Sequence, residues 1–140
     1  WLDYNGHMTE FRYLHVFGDA TDAFLRLIGI TAETAAAGSS YYTVETHIRH
    51  LCETKVGTKL RVETQVLGAQ GKKLHLFHRL FNAETGTEQA SGEHLLLHVS
   101  NGASTPPPAN VADKAAAFAK AHEHLLKPEG AGRRVGQARG

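Results

Sequence analysis

Apolar residues recur at helical spacing in the first long segment of the chain. Between about Thr9 and Ile28 they stand three, four or seven positions apart, which predicts one apolar face of a helix formed by Phe11, Leu14, Phe17, Phe24, Leu25 and Ile28. Thr9 or Asn5 is a suitable N-cap, and Glu10 suits the positive end of the helix dipole. Gly29 is expected to end the helix.

The pattern changes from helical spacing to alternation after residue 40. Four segments alternate apolar and polar residues, as half-buried strands do: residues 41–51, 59–68, 72–81 and 93–100. The alternation predicts core-facing side chains at Tyr42, Val44, Ile48, Leu60, Val62, Val66, Leu74, Leu76 and Leu80. Short links such as GAQGKK predict hairpins and therefore an antiparallel sheet. The segment 93–100 is the most apolar, and we expect it to lie centrally.

A second helix is predicted near the end of the chain. Three consecutive prolines at 106–108 interrupt the strand pattern, and an alanine-rich helix is expected over 111–126 with Asn110 as its N-cap. The small residues 31–39 predict a plain connection, and residues 128–140 predict a flexible tail behind a domain over 1–127. A helix, four strands and a helix in this order predict an α+β fold with the helices on one face of the sheet.

Composition narrows the functional classes. A chain of 140 residues suits one domain, and a net charge of +1 gives no indication of a nucleic-acid or membrane partner. No apolar run approaches the roughly 18 residues that a membrane span needs. The single cysteine, Cys52, cannot form an internal disulfide, so we expect a cytoplasmic protein.

The residues in front of the long helix carry the most specific signal. The chain opens WLDYNGHM, with Asp3 three residues before Gly6. This motif, followed by the helix and four strands, resembles the hotdog-fold acyl-CoA thioesterases, and more narrowly the 4-hydroxybenzoyl-CoA thioesterase-like branch. Within that branch, KKLHLFHRLF and GEHLLLHVS resemble a subgroup associated with carnitine breakdown, some of whose members are fused behind a carnitine dehydrogenase.

The resemblance implies a fold and an assembly. It implies a long central helix wrapped by an antiparallel sheet, plus a C-terminal helix, in a homodimer or a tetramer of dimers. The family's first strand would end at Trp1 or Leu2, and the chain has no initiator Met, so we expect that strand to be truncated. The subgroup often has Asn where this chain has Thr9, which affects the details of pocket polarity.

The same residues suit thioester hydrolysis. A carboxylate must attack the carbonyl carbon or activate a water, and hydrogen-bond donors must stabilise the oxyanion. The resemblance assigns the first role to Asp3, as general base or nucleophile, and the second to the helix N-terminus. Gly6 would let the thioester approach the backbone, and the other expected substrate-binding residues are Asn5, His7, Met8, Thr9 and Glu10. Asp3 and Asn5 would equally suit a simple turn or cap.

Other candidate groups are less favoured. Asp19 and Asp22 interrupt the apolar pattern of the long helix, in the middle of which another hotdog branch carries its catalytic carboxylate, but a solvated helix face or a subunit contact explains them. Glu45, His47 and Arg49 share one strand face, which is explained by an exposed or subunit-contacting surface. His15 is explained as a subunit-contact or pocket-wall residue rather than a catalytic base. Nothing in the sequence identifies a base that would activate Cys52 as a nucleophile. The histidines lack metal-ligand spacing, with His94 and His98 far apart on one strand and His75 and His78 on opposite faces. CoA phosphates could be bound by Lys55, Lys59, Lys72, Lys73 or Arg79.

The sequence therefore predicts an acyl-CoA thioesterase that needs no metal or redox cofactor. The subgroup resemblance implies a small acyl group, with betainyl-CoA as the most specific substrate. The alternative is a non-catalytic acyl-CoA-binding or dimerisation module appended to a dehydrogenase.

Overall fold

The computed structural model describes residues 6–137, and its main elements follow the predicted order. Two helices, five strands and a last helix follow one another along the chain: α1 (Glu10–Leu27), α2 (Ala32–Ala36), β1 (Ser39–His50), β2 (Leu60–Gln70), β3 (Lys73–Asn82), β4 (Glu88–Ser100), β5 (Ala103–Ser104) and α3 (Ala109–His122). The predicted α+β class is confirmed. The connection predicted over 31–39 contains one short helix that the sequence did not predict, α2, which Thr31 and Thr34 cap reciprocally through side chain and backbone.

The strands form one antiparallel sheet in the order β1-β4-β3-β2, with β5 added to β4. The predicted central position of the fourth long strand is confirmed, since β4 is paired on both sides. β2 and β3 are joined by a tight turn at which Gly71 has a φ of 56°, in the left-handed region that favours glycine. The hairpin predicted from GAQGKK is thereby confirmed.

A bulge in β1 corrects the predicted orientation of this strand. The register passes from Thr43 opposite Leu96 to Glu45 opposite Leu95, so Val44 has no partner in β4. Because one extra residue reverses the alternation, Tyr41 is buried before the bulge and Ile48 packs against the core after it. Tyr42 and Val44 are 58% and 50% exposed, and their predicted burial is wrong.

Helix α1 covers one face of the sheet, and its buried stripe differs from the predicted one. Residues at spacings of three and four form that stripe: Tyr13, Phe17, Thr21, Phe24, Leu25 and Ile28. Phe11 and Leu14 fall outside it and are 63% and 49% exposed, so their predicted burial is wrong. In the sheet, the predicted inward residues of β2 and β3 are confirmed, with Val66, Leu74, Leu76 and Leu80 buried and Leu60 and Val62 packed beside them.

Helix α3 packs beside the C-terminal half of α1. Val111 and Ala115 belong to the core cluster that contains Phe24 and Ile28. The helix begins earlier than predicted: Pro108 is its N-cap and Asn110 lies within its first turn, because the proline preceding Ala109 has extended backbone. The helix also ends earlier, at His122 rather than near residue 126.

The chain after α3 reaches the sheet face opposite α1, called here the outer face. The backbone N–H of Gly132 donates to Glu93 over 2.8 Å, and Arg49 donates to the carbonyl of Glu129 over 3.0 Å. Ala131 is buried. The first residues of the predicted tail are therefore packed, while the domain boundary at residue 127 stays a prediction.

Candidate active site

Backbone hydrogen bonds fix the entrance to α1 against the chain that follows β1. The N–H of Met8 donates to the carbonyl of Thr54 over 2.9 Å, and the N–H of Val56 donates to the carbonyl of Gly6 over 3.1 Å. His7 and Lys55 form the bridge between them. This short antiparallel pairing holds the start of the helix next to the end of β1.

Gly6 provides the change of direction into the helix. Its φ is 79°, which a residue with a Cβ adopts only with strain, and a Cβ there would meet no atom of residues 8–137 within 4 Å. Backbone conformation rather than crowding therefore favours glycine here. The open space beside it is consistent with the close approach that the sequence predicted.

The first turn of α1 presents backbone N–H groups that the helix itself cannot pair. Thr9 is the N-cap by backbone geometry, as predicted, but its side chain makes no capping hydrogen bond. Among the residues that the structure describes, its buried Oγ1 has no hydrogen-bond partner. Glu10 lies in the first turn, where a carboxylate interacts favourably with the positive end of the dipole.

A cavity of about 390 Å³ opens beside this turn. We call it the entrance cavity, and its lining residues are Met8, Glu10, Tyr13, His50, Leu51, Cys52 and Glu53. His7 is adjacent, with its Nε2 3.4 Å from Oε2 of Glu53. A group bound in this cavity would lie next to the first helical turn.

Of the predicted site residues, the structure brings together the five that it describes. Gly6, His7, Met8, Thr9 and Glu10 form the entrance to α1 and its first turn. Asp3 and Asn5 lie outside the described residues, so their predicted roles stay predictions.

Sequence reasoning missed the aromatic side of the cavity. Tyr13 is 5% exposed, and its hydroxyl donates to Thr54 Oγ1 over 3.1 Å. The Thr54 hydroxyl in turn donates to Oε1 of Gln89 over 3.2 Å. The Tyr13 ring packs edge-on against His50 with 4.7 Å between centroids. Tyr13 stands four residues before the predicted core residue Phe17, and this spacing was the available signal.

The alternative carboxylates lie elsewhere. Asp19 and Asp22 are exposed on α1, and Asp19 is 3.7 Å from Nε2 of His15. Neither residue lines the entrance cavity. Glu45 and His47 line a larger cavity of about 720 Å³ on the outer face, where Oε2 of Glu93 lies 2.6 Å from Nε2 of His75.

Two buried histidines lie between α1 and the sheet. His78 is held by Thr21 at Nε2 and Thr64 at Nδ1, both over 2.8 Å. His94 contacts Thr46 through Nδ1 over 3.2 Å, and its ring centroid is 5.2 Å from that of His78. Burial lowers the pKa of His78 to about 3 and that of His94 to about 4, so both are neutral at physiological pH.

The described range, residues 6–137, gives no sign of a metal site or of a membrane-spanning helix. No group of three or more His, Cys, Asp or Glu side chains in this range is arranged to hold a metal ion. Within the same range, no helix combines the length and apolar character needed to cross a membrane.

Comparison with known proteins identifies the family. Residues 1–120 match the family described as the thioesterase-like superfamily. The chain belongs to this family. The resemblance to hotdog-fold thioesterases and the predicted hotdog fold are therefore confirmed, together with the long helix, antiparallel sheet and C-terminal helix of the described residues.

Relatives in this family span different lengths. The chain is 50% identical over 99% of its length to an L-carnitine dehydrogenase/betainyl-CoA thioesterase of Rhizobium meliloti, but it spans only 28% of that protein. A betainyl-CoA thioesterase of Pseudomonas aeruginosa is 42% identical, and the match covers 97% of this chain and 87% of that protein. The crystal structure of a candidate thioesterase of Pseudomonas putida has a TM-score of 0.84 at 33% identity, over 99% of this chain and 90% of that one.

Proposed function

We propose that this protein hydrolyses the thioester bond of a small acyl-CoA, and that betainyl-CoA is its substrate. The observation that carries the proposal is that the first turn of α1, whose backbone amides have no partner within the helix, opens on the entrance cavity. The 42% identity to a betainyl-CoA thioesterase over nearly the whole chain supports the substrate.

The first helical turn is the proposed oxyanion site. Backbone N–H groups of about Thr9 and Glu10, at the positive end of the dipole, would donate to the carbonyl oxygen as negative charge develops on it. Among the described residues, the Thr9 side chain does not cap these groups, which is consistent with their donating to a ligand. One such donor typically contributes about 3 kcal/mol to lowering the barrier.

Asp3 is the proposed catalytic carboxylate. As general base it takes a proton from water while the water oxygen bonds to the carbonyl carbon; the C–S bond then breaks, and the CoA thiolate takes up the proton. As nucleophile, its oxygen would instead bond to the carbonyl carbon while the C–S bond breaks and CoA leaves as the thiolate. Water would then hydrolyse the resulting anhydride, which frees the acid and regenerates the carboxylate. The support for this assignment is its position in the sequence, three residues before Gly6 and six before the N-cap Thr9.

A homodimer is the proposed assembly unit, with a tetramer of dimers as the larger form. β1 pairs only with β4 among the described residues, so its other edge is open. Tyr42 and Val44 on β1 and Phe11 and Leu14 on α1 are large exposed apolar residues. An open strand edge with apolar neighbours favours pairing with another chain.

The Asp3→Asn variant tests the catalytic assignment. We expect kcat/KM for betainyl-CoA to fall by about 10²–10⁴-fold, because the amide can neither accept the proton nor attack the carbonyl carbon. Thiol release from the purified protein measures the rate. Asp22→Asn, which removes an exposed carboxylate of α1, is the matched control and should retain activity.

Two outcomes would contradict this proposal in different ways. Wild-type activity in Asp3→Asn would exclude Asp3 as the catalyst. A wild-type protein that binds CoA thioesters but releases no thiol from a broad acyl-CoA panel would favour the non-catalytic binding module.

A further inference from the structure

The lining of the entrance cavity has a composition that suits a cation. It contains two carboxylates, from Glu10 and Glu53, and no lysine or arginine among its described residues. Tyr13 and His50 contribute rings, and Met8 contributes a thioether. Aromatic faces combined with negative charge are the groups that recognise quaternary ammonium ligands.

We propose that the entrance cavity is the specificity pocket for the trimethylammonium group of the acyl moiety, with Glu10 and Glu53 supplying the charge and Tyr13 the aromatic contact. The inference rests on the proposed function, because it assigns the recognition of a cationic acyl group to the site at which hydrolysis would occur. A neutral acyl group of the same shape would gain the packing contacts of the cavity but not the charge interaction.

The position of the cavity fits the short length of the substrate. In a betainyl group only one methylene separates the carbonyl carbon from the ammonium nitrogen, so the cation must lie next to the polarised carbonyl. Glu10 adjoins both the carbonyl site and the cation site, because its backbone belongs to the first turn and its side chain lines the cavity. Its carboxylate also offsets the repulsion between the positive helix end and a cation.

The aromatic side of the cavity is fixed before any ligand arrives. Hydrogen bonds from Tyr13 to Thr54 and from Thr54 to Gln89 hold the ring, which is also packed against His50. A preformed ring loses little conformational entropy when it contacts a ligand.

The two carboxylates are not equivalent. Oε2 of Glu53 already lies 3.4 Å from Nε2 of His7, whereas Glu10 lies directly at the first turn. We therefore expect Glu10 to contribute more to cation recognition than Glu53.

Two substrates of one shape separate charge recognition from shape recognition. Betainyl-CoA and 3,3-dimethylbutanoyl-CoA differ in having nitrogen or carbon at the branched centre. The readout is the ratio of their kcat/KM values in thiol release. A general loss of activity in a variant lowers both values equally and leaves this ratio unchanged. We expect the wild type to prefer betainyl-CoA at least tenfold, and Glu10→Gln to lower the ratio roughly fivefold or more, mainly through KM.

Matched variants define what each result means. Glu10→Asp keeps the charge and should restore most of the ratio, Glu53→Gln should lower it less than Glu10→Gln, and Glu84→Gln, at an exposed turn, should leave it unchanged. A ratio that stays at the wild-type value in both Glu10→Gln and Glu53→Gln would overturn the inference while leaving the proposed hydrolysis intact. Failure of the wild type to hydrolyse either thioester would instead overturn the proposed function, and the inference with it.

Discussion

At the scale of single residues, one glycine of β4 shapes the buried space between α1 and the sheet. A Cβ on Gly92 would lie 2.8 Å from Cδ2 of Phe17 and 2.9 Å from Nε2 of His94. Both neighbours are buried and cannot move away without displacing others. The missing side chain therefore makes room for the Phe17 ring and the buried histidine.

Gly92→Ala should destabilise the protein by about 1–3 kcal/mol, because it overpacks this layer. Urea unfolding measures the change. The matched control is Gly18→Ala in α1, where an added Cβ meets no atom of the described residues within 4 Å and should stabilise the helix by about 0.5–1 kcal/mol. Equal effects of the two substitutions would show that the space at Gly92 is not restricted.

At the scale of elements, the bulge in β1 decides what the edge of the sheet presents. Without it, the alternation in the sequence would have turned Tyr42 and Val44 inward. With it, both residues are exposed on the strand whose free edge is the proposed dimer contact.

Val44→Lys should weaken the proposed dimer, since a lysine on an edge strand opposes pairing with a second edge. Light scattering after size-exclusion chromatography should show a loss of the dimeric or tetrameric mass. Val135→Lys, which places the same charge at an exposed position after α3, should leave that mass unchanged. A Val44→Lys protein with the wild-type mass would exclude this edge as the contact.

At the scale of the whole molecule, stability should depend on pH through the buried pair His78 and His94. Their folded-state pKa values, about 3 and about 4, lie below the usual 6.5. As the pH falls below 6.5 the unfolded chain binds protons that the folded chain does not, so stability is lost progressively toward pH 4. Above pH 6.5 both states are neutral at these positions and the effect vanishes.

The free energy of unfolding should fall by up to about 1.4 kcal/mol per pH unit for each of these histidines between pH 6.5 and 4. Urea unfolding at a series of pH values measures the slope. His94→Gln should reduce the slope, whereas His124→Gln, at an exposed position, should leave it as in the wild type. A slope unaffected by His94→Gln would mean that His94 binds protons as readily in the folded protein as in the unfolded chain.

The sequence by itself determined the type and order of the main elements. Helical spacing in α1 and alternation in β1 to β4 arise from contacts between near neighbours, so they are readable along the chain. The motif ahead of α1 likewise carried the family, since its residues are consecutive and their chemistry is local.

The tertiary structure decided what depends on distant pairings. The bulge at Val44 follows from the register with β4, and the reversal it causes cannot be read from the alternation alone. The entrance cavity joins Tyr13 to residues some 40 positions later through Thr54, and the buried histidines meet across different strands. Such features depend on which segments pack together, because burial and hydrogen bonding between remote residues leave no periodic signal in the sequence.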